Sequence, residues 1–152
     1  MQVTYLSYFS ASIIAYLGLL VGIILIKLAP EEQKSGKKYF ILIKKIIFLL
    51  VLVFYLFFYR FNPTLSVIFL AITFILMINK KLKLEKTSLT YFFFGIVFYA
   101  SSKLPDLFVM ESVLIFLYGI PAASLILKKK NYKEIFVKNL WFFAPILLYL
   151  IF

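Results

Sequence analysis

The chain has 152 residues, of which 64% are hydrophobic and 15% charged, with a formal net charge of +11 and neither Cys nor His. So much apolar surface exceeds what one soluble core of this size can hide, which excludes a soluble globular domain, and the missing Cys and His exclude disulfides, thiolate nucleophiles, imidazole bases and the commonest zinc and haem ligands. The basic charge does not indicate a nucleic-acid partner, because the lysines fall in short segments between apolar runs instead of along one water-facing stripe.

Apolar runs recur along the whole length and leave no separate soluble domain. They predict a single all-α unit over residues 1–152, a polytopic integral protein of the cell membrane with six transmembrane helices. The first run, Val3 to Leu28, lacks a basic start and is longer than a signal-peptide core, so it reads as a retained span. Within it Ser7, Ala11, Ala15, Gly18 and Gly22 fall in an arc of about 80° at 100° per residue. A stripe without bulky side chains lets another helix approach closely. That helix belongs either to the same chain or to a partner, in a homo-oligomer or a larger membrane complex.

"APEEQKSGKKYF" then reads as an ordered connector, stopped by Pro30, with Glu31 and Glu32 available to the lysines of other loops. The second run, Ile46 to Tyr59, follows Lys44 and Lys45, which either snorkel or belong to an interfacial stretch over 37–45. The runs Ile46 to Tyr59, Thr64 to Ile78 and Leu89 to Ala100 have clean apolar stretches of about 12 to 15 residues, where about 20 span a bilayer. Five spans with one re-entrant segment is the alternative that this shortness leaves open.

The fifth run, Leu107 to Leu127, opens with "SSKLPDLFVME". Pro105 suits a first helical turn, Ser101 or Ser102 can cap it, and Asp106 sits where the helix dipole favours an acid. Glu111 lies about 7.5 Å further along and about 140° round, so the two acids form no paired-carboxylate site. A carboxylate at that depth requires a partner, a proton or water. An ion pair to Arg60 or Lys103 that locks the outer ends of the second and fifth spans is one expectation; a protonatable, cation-attracting vestibule is the other. Glu111 shares a face with Tyr118, which leads to Pro121 in "YGIPAAS", where a kink or brief unwinding is expected. The sixth run, Ile135 to Phe152, is expected to bend at Pro145.

Counted by alternate breaks, fifteen lysines fall on one side and only Arg60 and Lys103 on the other. The positive-inside rule makes the fifteen cytoplasmic, facing anionic lipid headgroups, and places both termini outside. No nucleotide, hydrolase or metalloprotease motif occurs, and the inner-loop acids come from separate loops. The sequence therefore predicts a non-enzymatic protein with no cofactor and no metal. Two functions suit it: a compact permease or channel-like unit with an outer mouth at Arg60, Lys103, Asp106 and Glu111, or an accessory subunit docking through the small-residue face of the first helix.

Overall fold

The computed structural model describes residues 3–78, 87–126 and 131–150, and among them every regular element is a helix. Helix α1 covers Tyr5–Leu28, α2 Glu32–Ser35, α3 Lys37–Phe58, α4 Pro63–Ile78, α5 Thr87–Ser101, α6 Pro105–Ile126 and α7 Tyr132–Asn139. A 3-10 turn at Leu140–Phe142, helix α8 at Phe143–Ile146 and a second 3-10 turn at Leu147–Leu150 complete it. Three helices, α1, α3 and α6, are long and apolar enough to cross a membrane; α4 and α5 are apolar but shorter. Large apolar side chains such as Ile14, Ile43, Phe74 and Val113 are exposed on their outer faces. That is the pattern of helices solvated by lipid, and it marks the protein as membrane-associated.

The central contact is between α1 and α6. A Cβ on Gly18 would strike the backbone of Phe116, one on Gly22 the backbone of Ile120, and one on Gly119 the backbone of Gly18. Close approach of the two backbones therefore needs glycine here, and dispersion between the paired surfaces holds the helices together. The matching order of these contacts shows that α1 and α6 run parallel. Helix α3 packs antiparallel to α6 on another side, and α4 folds back from α3 at the periphery.

The α3–α4 turn explains its own sequence. Arg60 adopts a left-handed conformation (φ 50°) with its N–H on Phe57, while the N–H of Phe61 reaches the carbonyl of Leu56. This closes α3 with the helix-ending motif that usually carries glycine. Asn62 Oδ1 then accepts the N–H of Thr64 at 3.0 Å and starts α4, with Pro63 in its first position.

Several expectations are corrected. Of the kink or unwinding expected at Pro121, the unwinding does not occur, since α6 is continuous from Pro105 to Ile126. The break falls instead in the last stretch, which is not one helix bent at Pro145 but the series α7, 3-10, α8, 3-10. Pro145 has no N–H for the carbonyl of Trp141, and Gly95 of α5 lets the carbonyl of Phe142 pack against its Cα. Ser101 and Ser102 do not cap α6; their hydroxyls return to the carbonyls of Phe98 and Tyr99 at 2.9 and 2.7 Å and close α5. The 37–45 stretch is continuous with the rest of α3. Lys45 Nζ donates to the carbonyl of Met77 at 3.1 Å, while Lys44 turns inward. Lys80, Lys81, Lys83, Glu85, Lys86 and Lys128 to Lys130 lie outside the described residues.

Candidate functional site

Helix α6 carries the buried acid found among the described residues. Glu111 is 0% exposed, and neither carboxylate oxygen has a hydrogen-bond partner. The expected ion pair is absent. Arg60 is committed to the end of α3 and Lys103 to the α5–α6 turn, and both side chains are exposed at the rim, as is Asp106 in the first turn of α6. The six residues assigned to a solute path or its outer vestibule thus separate: Arg60, Lys103 and Asp106 lie at one exposed end, while Glu111, Tyr118 and Pro121 are buried within the bundle. A buried carboxyl group with no donor is costly in its charged form, so it marks a place where a proton, a cation or another donor is needed.

Two turns beyond Glu111, Tyr118 lies fully buried with its hydroxyl near Thr90, and Tyr91 of α5 is fully buried with a hydroxyl that lacks a hydrogen-bond partner. The Tyr91 and Tyr118 rings are 6.0 Å apart, and Phe94 stands edge-on to Tyr118 at 4.6 Å. Lys44 Nζ lies 5.5 Å from the Tyr118 ring centroid, over its face, so an α3 ammonium is held by the ring quadrupole. Ile115, also buried, separates Tyr118 from Glu111 on this face. From one end to the other the interior line reads Lys44, Tyr118, Ile115, Glu111: polar groups at two depths with an apolar closure between them.

Lys44 also belongs to the wall of a cavity of about 860 Å³ at the opposite end from Arg60. Lys34, Lys37 and Lys138 share this wall with Thr87, Ser88 and Asn139, and Ile41, Leu89, Phe92 and Trp141 supply apolar surface. Its frame is tied by two bonds of 2.7 Å: Gln33 Nε2 donates to the carbonyl of Ser124, and Ser88 Oγ to that of Lys138. Lys138 is paired with Glu134 one turn earlier. Sequence reasoning assigned these lysines to orientation and to contact with anionic lipid headgroups. The signal that pointed further was the pair Lys44 and Lys45, two cations set within the apolar run of α3.

The small-residue face of α1 is occupied within the chain. Ala15, Gly18 and Gly22 are buried, with α6 against the glycines, whereas Ser7 is exposed and Ala11 half-buried toward the N-terminal end of α1. Among the described residues, no group of three or more acidic side chains is placed to hold a metal ion. Compared with protein-family models, with curated proteins and with solved structures, the chain finds no match.

Proposed function

We propose that the protein is a non-enzymatic, six-span membrane protein with both ends extracytoplasmic, acting as a compact permease or channel-like unit for a small solute or ion. The observation that carries this reading is Glu111, a fully buried acid with both oxygens unpartnered. An acid kept dry and unpaired costs stability, and such groups within membrane helices ordinarily serve ion or proton pathways. The species moved is one that neutralises Glu111, a proton or a small cation. With Ile115 between Glu111 and Tyr118, the arrangement is that of an occluded state.

The topology is supported by the meeting of the two ends. Tyr149 Oη donates to the carbonyl of Val3 at 2.7 Å, so the first and last described segments finish at the same end of the bundle, as an even number of crossings requires. The lysines of the cavity stand at the other end, in the sense the positive-inside rule demands. A docking role through the Ser7 to Gly22 face would need that face free, and α6 covers its inner part.

The test is flux in sealed liposomes that contain the purified chain, read with an internal pH dye under an imposed potential and then with sodium and potassium gradients. Proton or cation flux that disappears in Glu111→Gln, while the variant remains monodisperse, is the expected result. A wild-type protein that moves none of these ions, or a variant that moves them equally well, overturns the reading.

A further inference from the structure

The lysine-lined cavity calls for an occupant of its own, whether or not Glu111 serves a path. Among the described residues of its wall, four are lysines (Lys34, Lys37, Lys44 and Lys138) and one is an acid, Glu134, which pairs with Lys138. Lys34, Lys37 and Lys138 are exposed at its mouth, whereas Lys44 is drawn inside at only 5% exposure, within α3. Helix α3 starts beside the cavity with no side-chain cap at Gly36, which adds the positive end of its dipole. Asn139, 2% exposed, lines the same wall with its amide nitrogen on the carbonyl of Ile135 and its Oδ1 unpartnered. That oxygen asks for a donor.

Much of the remaining wall is apolar. Ile41, Leu89, Phe92 and Trp141 flank the lysines, and Trp141 is 61% exposed, set edge-on to Phe92. An indole beside lysines at the end of apolar helices is the usual furniture of the membrane–water interface. A free anion would satisfy the ammonium groups but leave this apolar flank bare. An anionic lipid satisfies both, with its phosphate among the lysines, a headgroup hydroxyl toward Asn139 and its chains along the Ile41 to Trp141 flank. A cavity of about 860 Å³ is within the range that holds a ligand of that headgroup's size.

We propose that this cavity is a specific binding site for an anionic, hydroxyl-bearing glycerophospholipid, of which phosphatidylglycerol is the simplest form, drawn from the leaflet at the lysine-rich end. The site is distinct from the diffuse attraction that any loop lysine exerts on an anionic bilayer.

Trp141 is the only tryptophan of the chain and stands in the wall of the cavity, so its fluorescence reports occupancy directly. The full chain in neutral detergent micelles is titrated with brominated-chain phosphatidylglycerol, with brominated phosphatidylcholine, and with the former in the presence of inorganic phosphate. Saturable quenching by phosphatidylglycerol is expected at mole fractions where phosphatidylcholine gives none. The double variant Lys34→Gln/Lys37→Gln should shift the midpoint by about tenfold or more. Lys38→Gln/Lys133→Gln removes the same charge from exposed positions outside the wall and should shift it by no more than about twofold. All four lysines are exposed, and circular dichroism with gel filtration checks that both variants remain folded. Equal shifts in the two variants would reduce the effect to diffuse electrostatics. Equal quenching by phosphatidylcholine, or displacement by millimolar inorganic phosphate, would likewise overturn the lipid assignment.

Discussion

Gly119 of α6 lies so close to Gly18 of α1 that a methyl group on the former would overlap the backbone of the latter. Neither helix can turn a side chain into this crossing, so the parallel α1–α6 pair is fixed by what the two positions lack. Gly18→Leu must force the backbones apart, with an expected loss of at least about 3 kcal/mol. Ser7→Leu, at an exposed position, should change stability by less than about 0.5 kcal/mol. Reversible unfolding in detergent measures both. A Gly18→Leu protein as stable as the parent would show that the α1–α6 crossing does not hold the fold.

Glu111 gives the opposite sign. Replacing a buried, unpartnered acid by an apolar side chain of similar size removes two polar atoms that nothing satisfies. Glu111→Leu is therefore expected to raise stability by on the order of 1 to 3 kcal/mol. Were the acid held in a buried ion pair, the same substitution would strand its partner and lower stability by about 3 kcal/mol or more. The sign of the change in unfolding midpoint separates the two.

The tyrosines divide in the same way. Tyr16 Oη donates to the carbonyl of Phe136, and Tyr59 Oη to that of Ala100 at 2.6 Å, whereas the hydroxyl of Tyr91 has no hydrogen-bond partner. Phenylalanine at 16 or 59 should cost about 1 kcal/mol, and at 91 nothing or a slight gain. Uniform costs across all three would contradict the assignment of hydroxyl partners.

Arg60 occupies left-handed backbone that favours glycine. Arg60→Gly should stabilise the α3–α4 turn by up to about 1 kcal/mol. A clear loss of stability would instead mean that the guanidinium, exposed in the structure, makes a contact worth more than the backbone strain.

The chain contains no cysteine, so single introduced thiols report side without background. Thr4→Cys and Lys103→Cys should react with an impermeant maleimide on intact cells. Lys38→Cys and Lys133→Cys should react only after permeabilisation. Labelling of Lys38→Cys from outside would reverse the orientation.

Some of this was legible in the residues themselves. Length and apolarity of the runs fix membrane helices without reference to any partner, because a backbone placed in hydrocarbon must bond within its own helix. The stripe from Ala15 to Gly22 announced close helix contact, since spacing along one helix determines which side chains share a face. The identity of the opposing surface was not legible: only the assembled bundle decides that Phe116, Gly119 and Ile120 fill it. Nor could local pattern tell which proline breaks its helix. Pro121 is tolerated inside α6, packed on α1, while Pro145 falls where Gly95 draws the chain inward. Tertiary packing likewise left Glu111 without Arg60 or Lys103 and gathered Lys34, Lys37, Lys44 and Lys138 around one cavity. The reason is physical: helix formation and membrane insertion are settled within each segment, whereas charge neutralisation and cavity formation depend on distances between segments that no single stretch of sequence contains.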